Sequence, residues 1–444
     1  MSTKLENILL VLLFLITVGC INKHAKISDK LRDKIKADNR FEQVEKMAEQ
    51  LVGDGLTAGD SYGEVWIRDL NSFIELSVAV NGKERPGDAL LTFFRFQGAD
   101  GNIPDGFIPV ESGSGGYSYI FSDQAPEYKA HKNTVETDQE SSLIQAIYKY
   151  IKATGDREFL QKTINGKTVE EGMADALQYL INHKMNEQYG LLWGATTVDW
   201  GDVQPEHYWG VELDSLSHPA IDVYDNAMFV IAIHNYISLI EKESEKAYWN
   251  NVAQDITRNV RKHIWDEKNQ KYIPHIYLEK GSPFPTDFDE NNIYYHGGTF
   301  MAIEAGFLTE EEIRASYQRM QQNVTESGAP SIGLTLYPPY PSGFFLNPGL
   351  HEYGYQNGGD WTWFGGRMVQ QLINHGMYEE AYESITPMLD LVIKHDGFYE
   401  WWTREGEPAG SGSFRGAAGV LWKSIKMFRE KLDQSERISQ WGIE

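Results

Sequence analysis

From about residue 40 onward, apolar residues recur three and four positions apart in one segment after another, the period of a helix with one buried face. The pattern predicts helices over 41–51, 69–80, 89–96, 138–153, 169–183, 224–241, 245–264, 298–305, 310–323, 358–374, 378–394 and 414–431. In the 138–153 segment Leu143, Ile144, Ile147, Tyr150 and Ile151 share one face, while Gln145, Lys149 and Lys152 fall on the other. Thr154-Gly155-Asp156 then supplies a glycine where a helix ends and an aspartate where the next begins, and Thr309 is placed to cap the 310–323 helix. No stretch offers several alternating strands in succession. A dozen antiparallel helices in pairs predict an all-α fold, an (α/α)6 toroid of about six helical hairpins.

Long loops separate the pairs, notably 99–134, 190–222 and 325–360, and they are rich in glycine, aromatic and acidic residues. Loops of that length and content are expected to form the walls of a binding site. No Pro- or Ser-rich linker divides the chain after residue 40, so residues 41–432 are expected to form one domain, with 433–444 as a tail. Ahead of it, Lys4 precedes an apolar run from Ile8 to Val18, too short to span a bilayer comfortably, that closes on Gly19-Cys20. This junction resembles the lipobox of bacterial lipoproteins, which implies a signal segment over 1–20, lipidation of Cys20 and an extracytoplasmic, membrane-anchored protein. Residues 21–40 then read as a tether or a first helix. Cys20 is the single cysteine, so the remaining chain has no disulfide to rely on.

The 444 residues carry a formal net charge of −24 and no basic block, which excludes nucleic acid and anionic membrane surfaces as main partners. A neutral ligand fits better. Aromatics make up 13% of the chain, with 12 Trp and 24 Tyr; platforms for sugar rings and large helix interfaces both account for such an excess.

Several motifs set acids among aromatics. Asp138 stands in Glu136-Thr137-Asp138-Gln139-Glu140 at the head of an amphipathic helix, and Glu400 in Gly397-Phe398-Tyr399-Glu400-Trp401-Trp402. Hydrolysis of a glycosidic bond needs one carboxylic acid to protonate the leaving oxygen and one carboxylate across from it. Asp138 suits the general acid, with Glu140 and Glu136 beside it, or equally a capping carboxylate; Glu400 suits the general base, or a surface glutamate on an aromatic turn. Trp66-Ile67-Arg68-Asp69 offers an Arg-Asp pair for adjacent hydroxyls with an indole to stack, or an N-terminal cap with an ion pair. Trp193-Gly194 and Asp199-Trp200-Gly201-Asp202 place more acids and indoles in a loop, as substrate contacts or turn formers, and Asp225-Asn226 suits a helix cap or a polar floor. In Tyr355-Gln356-Asn357-Gly358-Gly359-Asp360-Trp361-Thr362-Trp363, amides, glycines and indoles crowd one helix start. Substrate contacts are expected from Trp66, Arg68, Asp69, Glu140, Trp193, Asp199, Trp200, Gln356, Asn357, Gly358, Trp361 and Trp401. No metal or cofactor is expected; Asp287-Phe288-Asp289-Glu290-Asn291-Asn292 is acidic but reads as a solvated turn.

Taken in order, these segments resemble the inverting (α/α)6-barrel glycosidases, a clan that includes neutral and alkaline invertases, trehalases, debranching α-1,6-glucosidases and glucoamylases. The nearest motifs are those of the neutral invertases. Asp138, sixteen residues before Thr154-Gly155-Asp156, resembles their general-acid aspartate; Glu400 resembles the glutamate of their Trp-Pro-Glu-Tyr-Tyr; Asn357-Gly358-Gly359 is similar to their Asn-Gly-Gly-Ser-Trp; and Arg68-Asp69 resembles the clan's sugar-binding pair. The resemblance implies an exo-acting, inverting hydrolase of an α-linked gluco-type oligosaccharide. Two other readings stand beside it. An unsaturated uronyl hydrolase on the same toroid would hydrate its substrate from one aspartate, and a surface glycan-binding lipoprotein would keep the aromatics without needing either acid.

Overall fold

A computed structural model describes residues 27–113 and 118–441, with side chains described through residue 434. Cys20 and the leader expected over 1–20 lie outside the described residues.

Among the described residues there are thirteen α-helices: α1 (Asp29–Ala37), α2 (Arg40–Gly53), α3 (Ile67–Asn81), α4 (Glu84–Arg95), α5 (Gln139–Thr154), α6 (Val169–Tyr179), α7 (Val223–Leu239), α8 (Glu243–His263), α9 (His296–Glu304), α10 (Glu310–Ser327), α11 (Thr362–Asn374), α12 (Tyr378–Lys394) and α13 (Arg415–Trp441). Helices α3, α5, α7, α9, α11 and α13 each pack on the next, and α13 packs back on α3, closing a ring. Helices α2, α4, α6, α8, α10 and α12 lie against its outside, completing the (α/α)6 toroid.

The sequence dictates which helix takes which place. Inner α7 buries nearly every side chain from Val223 to Ile233, because it faces neighbours on all sides. Its outer partner α8 buries only Trp249, Ala253, Ile256 and Val260, spaced four, three and four apart, as one stripe requires. Ends are fixed locally: Thr168 with Glu171 and Thr309 with Glu312 form capping boxes, and α5 stops at Gly155 in the left-handed conformation.

Several boundaries differ from expectation, among them the start of α4, at Glu84 and not at residue 89. Residues 358–361 precede the helix instead of opening it, because Asp360 and Trp402 exchange backbone hydrogen bonds of 3.0 and 2.7 Å while Trp361 N donates to Gly333 O. Helix α13 continues to Trp441, so the 433–444 tail is helical through 441. Within residues 21–40, of the two alternatives expected there, a first helix forms: α1, capped by Ser28 and burying Leu31 and Ile35. The loops also carry short antiparallel ladders that the periodicity does not foreshadow. The largest joins β1 (Val65–Trp66), β2 (Gly106–Pro109) and β3 (Tyr128–His131).

The first residues of the six inner helices lie at one end of the ring. Arg68 of α3 and Tyr224 of α7 both reach Asp138 at the head of α5. Asp199 accepts from Gly298 N of α9, and Trp361 ahead of α11 packs on Trp200 and on Phe414 ahead of α13. Close approach of the inner helices depends on small residues: a Cβ on Gly419 of α13 would lie 2.5 Å from Phe73 Cα, Phe73 Cβ and Ser72 O of α3. None of those atoms can swing away. Gly419→Ala is therefore expected to lower stability by about 1–3 kcal/mol through overpacking, read from chemical denaturation midpoints. An unchanged midpoint would mean that α3 and α13 separate at little cost.

Candidate functional site

The inner-helix N-termini surround a cavity of about 360 Å³. Its wall includes the aromatic rings of Tyr62, Trp66, Trp200, Tyr355, Trp361, Trp363 and Phe414, the carboxyl groups of Asp69, Asp105, Asp202 and Glu400, and Arg68 with Gln356.

Glu400 is held from three directions. It precedes a ladder pairing Trp401–Trp402 with Pro408–Ala409, and its backbone N–H donates to Ser411 O. Its side chain accepts from Tyr62 OH on Oε1 (2.8 Å) and from Ser411 N–H on Oε2 (2.8 Å). Gly410 is required for this cradle: at φ +70°, a Cβ there would stand 2.3 Å from Glu400 Oε2. Burial pushes the carboxyl pKa up, the two donors pull against it, and the Asp202 charge adds to the rise.

Asp202 ends the Asp199–Asp202 segment and faces the same cavity. Among the described residues its one side-chain hydrogen bond is long, 3.5 Å from Gln356 Nε2 to Oδ1. Asp105 sits where the chain enters β2, fixed by Ile67 N donating to its carbonyl and by its own N–H donating to His131 O. Burial, opposed by Arg68 and reinforced by Asp202, pushes its carboxyl up to about 8. Asp69, partly open to the cavity, is pushed up to about 7 by burial, again against Arg68, with Glu400 and Asp202 adding to the rise.

Asp138 lies elsewhere. It is fully buried and absent from the cavity wall. Although it stands at the head of α5, its side chain caps nothing. Oδ2 accepts from Arg68 Nε (2.7 Å) and Tyr224 OH (2.9 Å), and Oδ1 from Arg68 Nη2 (3.2 Å) and Gln139 Nε2 (3.2 Å). Burial opposes the Arg68 charge, but Asp138 and its surroundings outweigh that and raise the guanidinium pKa. The expectation that Asp138 and Glu400 meet across one pocket is thus corrected. Both Asp138 oxygens are committed to the wall behind it, and Arg68 is what the cavity receives.

Of the other expected contacts, Trp66, Asp69, Trp200, Gln356 and Trp361 line the cavity. The rest take structural positions. Glu140 accepts from Lys132 (2.6 Å) and Ile103 N. Trp193 stacks under the Lys184 ammonium. Asp199, at φ +55°, accepts from Gly298 N. Asn357 ties Tyr340 N to the carbonyls of Tyr340 and Leu350, Gly358 turns the chain at φ +91°, and Trp401 packs over Gly359 and Gly410. Asp225 accepts from Thr137 N, and Asn226 pairs with the Leu192 backbone. In the 287–292 segment, Glu290 accepts from His275 and from Tyr277 and Tyr340, an anchor and not a solvated side chain. Among the described residues, no cluster of metal-ligating side chains occurs.

Sequence reasoning missed Tyr62, Asp105, Trp209 and Phe414, which sit in segments without a motif. It offered the segment holding Asp202 as substrate contacts or turn formers without singling that residue out, and quoted Tyr355 and Trp363 inside a motif without naming them as contacts. The alternation of acid and indole in Asp199-Trp200-Gly201-Asp202 was the available signal, since Trp200 and Asp202 both reach the cavity while Asp199 accepts from Gly298 N and does not line it.

No family model and no curated protein matches this chain in sequence. Solved structures match it in shape. A GH63 mannosylglycerate hydrolase from Thermus thermophilus in complex with glucose superposes with a TM-score of 0.61 at 15% identity, covering 86% of this chain and 99% of that one. The same enzyme in complex with Tris and D-glycerate gives 0.60 at 16%, covering 86% and 100%. A rhamnosidase from Klebsiella oxytoca with rhamnose bound gives 0.56 at 12%, covering 87% of this chain and 63% of that one. The chain therefore has the fold of the six-hairpin glycosidases.

Burial of so many acids sets a pH dependence. Asp105, Asp69 and Asp360, raised to about 8, 7 and 7 mainly by burial, keep their protons in the folded chain at pH values where the unfolded chain has released them. A raised folded pKa gives stability that is present at low pH and lost as pH climbs. Buried His131 and His296, lowered to about 4 and 3, act in the opposite sense only below their ordinary 6.5. Lys149, Lys184 and Lys271, lowered to about 8 by burial, begin to act only near that pH. Between pH 6.5 and 7.5 the unfolding free energy is expected to fall, on the order of 1 kcal/mol per pH unit, and Asp105→Asn to flatten the slope. Urea denaturation across that window checks this, and a level or rising midpoint contradicts it.

Proposed function

We propose that this protein is a glycoside hydrolase whose working carboxylates are Asp202 and Glu400. The observation that carries the reading is that both project into one cavity walled by aromatic rings, the surroundings in which sugar rings stack and water is thinned. Glu400 accepts hydrogen bonds on each oxygen, the arrangement of a carboxylate kept ready to polarise a water, and it takes the general-base part. Among the described residues Asp202 is bound only by the long contact from Gln356, which leaves its carboxyl free to approach a leaving oxygen, and it takes the general-acid part.

Arg68, fixed by Asp138, and Asp69 would hold hydroxyls of the sugar being released, with Gln356 beside them. Indoles such as Trp66 and Trp361 would supply apolar walls for its ring faces. Water attack at the anomeric carbon from the Glu400 side, while Asp202 delivers its proton to the departing oxygen, gives inversion. An exo-acting, inverting cleavage of an α-linked gluco-type oligosaccharide is what the motif resemblance implies. The T. thermophilus neighbour, a mannosylglycerate hydrolase seen with glucose, supports a hexopyranosyl donor. The same reading sets the enzyme outside the cytoplasm on a lipid at Cys20; Cys20→Ser is expected to abolish fatty-acid labelling and membrane fractionation, and retention of both would remove the anchor.

Hydrolysis of a panel of α-glycosides, with proton NMR of the first anomer released, tests the reading. Glu400→Gln is expected to lower kcat about 10²–10⁴-fold with an unchanged melting temperature. Asp202→Asn is expected to do the same on alkyl-linked sugars but to spare a glycosyl fluoride, whose leaving group needs no proton. Asp138→Asn is expected to destabilise the fold, because it leaves the Arg68 charge buried without its partner. A stable Asp138→Asn protein that keeps its activity on the fluoride alone would return the acid's part to Asp138. Indifference to both Asp202→Asn and Glu400→Gln would remove the hydrolase mechanism.

A further inference from the structure

The mouth of the cavity carries an indole with no structural employment. Trp209 is 66% exposed, and yet it forms part of the cavity wall together with Gly210 and Val211. An apolar side chain of that size left in water loses the stabilisation that burial would bring. Its neighbour Tyr208, 59% exposed, meets it edge-on at 6.2 Å.

The segment bearing Trp209 is tied down on both sides. Buried Gln204 donates to Gly210 O and Glu212 O (3.3 and 3.2 Å). Asn347 Nδ2 donates to Tyr208 O (2.8 Å), and Thr134 N donates to Val211 O. The backbone is fixed immediately before and after Trp209, while its ring is left open. Such an indole is preorganised for a ligand, because little ordering remains to be done on binding.

We propose that Trp209 is the platform for the sugar on the leaving side of the scissile bond, and so selects substrates with at least one further pyranose ring beyond the one hydrolysed. The proposal rests on the glycosidase reading above. The occupant follows from continuity: the ring adjoins the cavity that holds the carboxyl groups, and apolar faces of pyranoses stack on indoles. It also follows from charge. Arg68, among the described residues the one basic side chain on the cavity wall, is committed to Asp138, so a neutral sugar suits this side better than an acidic group.

The test compares kcat/KM for an aryl glycoside and for a neutral trisaccharide of the same glycosyl unit, in the native protein, Trp209→Ala and Trp209→Phe. Calorimetry of trisaccharide binding to Glu400→Gln with and without Trp209→Ala gives a readout independent of turnover. Trp209→Ala is expected to lower kcat/KM on the trisaccharide about tenfold more than on the aryl glycoside, chiefly through KM, and to weaken trisaccharide binding by a similar factor. Trp209→Phe should recover part of both. Equal losses on the two substrates, no loss in binding, or a change of oligomeric state in sedimentation would overturn the proposal, the last by showing that Trp209 meets a second copy of the chain. Absence of turnover by the native protein would defeat the hydrolase reading, and the calorimetry would then still decide whether Trp209 holds a sugar.

Discussion

The active end of the toroid depends on one buried ion pair. Arg68 in the first turn of α3 faces the positive end of its own helix dipole and is largely withdrawn from water, two costs that Asp69 beside it, its carboxyl raised to about 7, offsets only in part. Asp138 offsets them from the head of α5, where a negative charge is favoured, and Tyr224 at the start of α7 supplies a further donor. One carboxylate thereby joins the N-termini of three consecutive inner helices. Removing one partner of a buried pair typically costs about 3–5 kcal/mol, a large fraction of a protein's net stability. The pair thus fixes the ring's register and the place where a sugar hydroxyl could meet the guanidinium.

Around that fixed point the cavity collects acids without matching bases. Asp69, Asp105, Asp202 and Glu400 share one wall with the already committed Arg68. Burial raises the proton affinity of Asp69, Asp105 and Glu400, and Asp69 and Asp105, raised to about 7 and 8, hold protons near neutral pH in place of acquiring counter-ions. A site of this kind can accept a neutral polyhydroxylated ligand and exchange protons with it, since hydroxyls both donate to carboxylates and accept from carboxylic acids.

The helices were legible in the sequence and the cavity only in part, for one physical reason. A helix facing a partner repeats its apolar residues at a fixed interval, so α8 announces itself through Trp249, Ala253, Ile256 and Val260. The capping pairs Thr168 with Glu171 and Thr309 with Glu312 mark starts because the hydrogen bonds involved span three residues. Loop ladders such as Trp401–Trp402 against Pro408–Ala409 are two residues long and have no period to detect. The start of α11 was misplaced because Asp360 N–H is spent on Trp402 O, forty-two positions away.

The same distinction explains why the acid proposed above is Asp202 and not Asp138. Each is an aspartate in an acid-rich, aromatic neighbourhood, and local sequence scores them alike. What separates them is the partner: Arg68, seventy residues upstream, fills both oxygens of Asp138, whereas Asp202 receives one long contact from Gln356. An acid's availability is decided by how many donors reach it, and those donors arrive from other hairpins of the ring. Motif spacing can therefore find the acids of such a toroid, but assigning their work requires the closed structure, in which a carboxylate with every acceptor site taken belongs to the scaffold and one facing open space belongs to the chemistry.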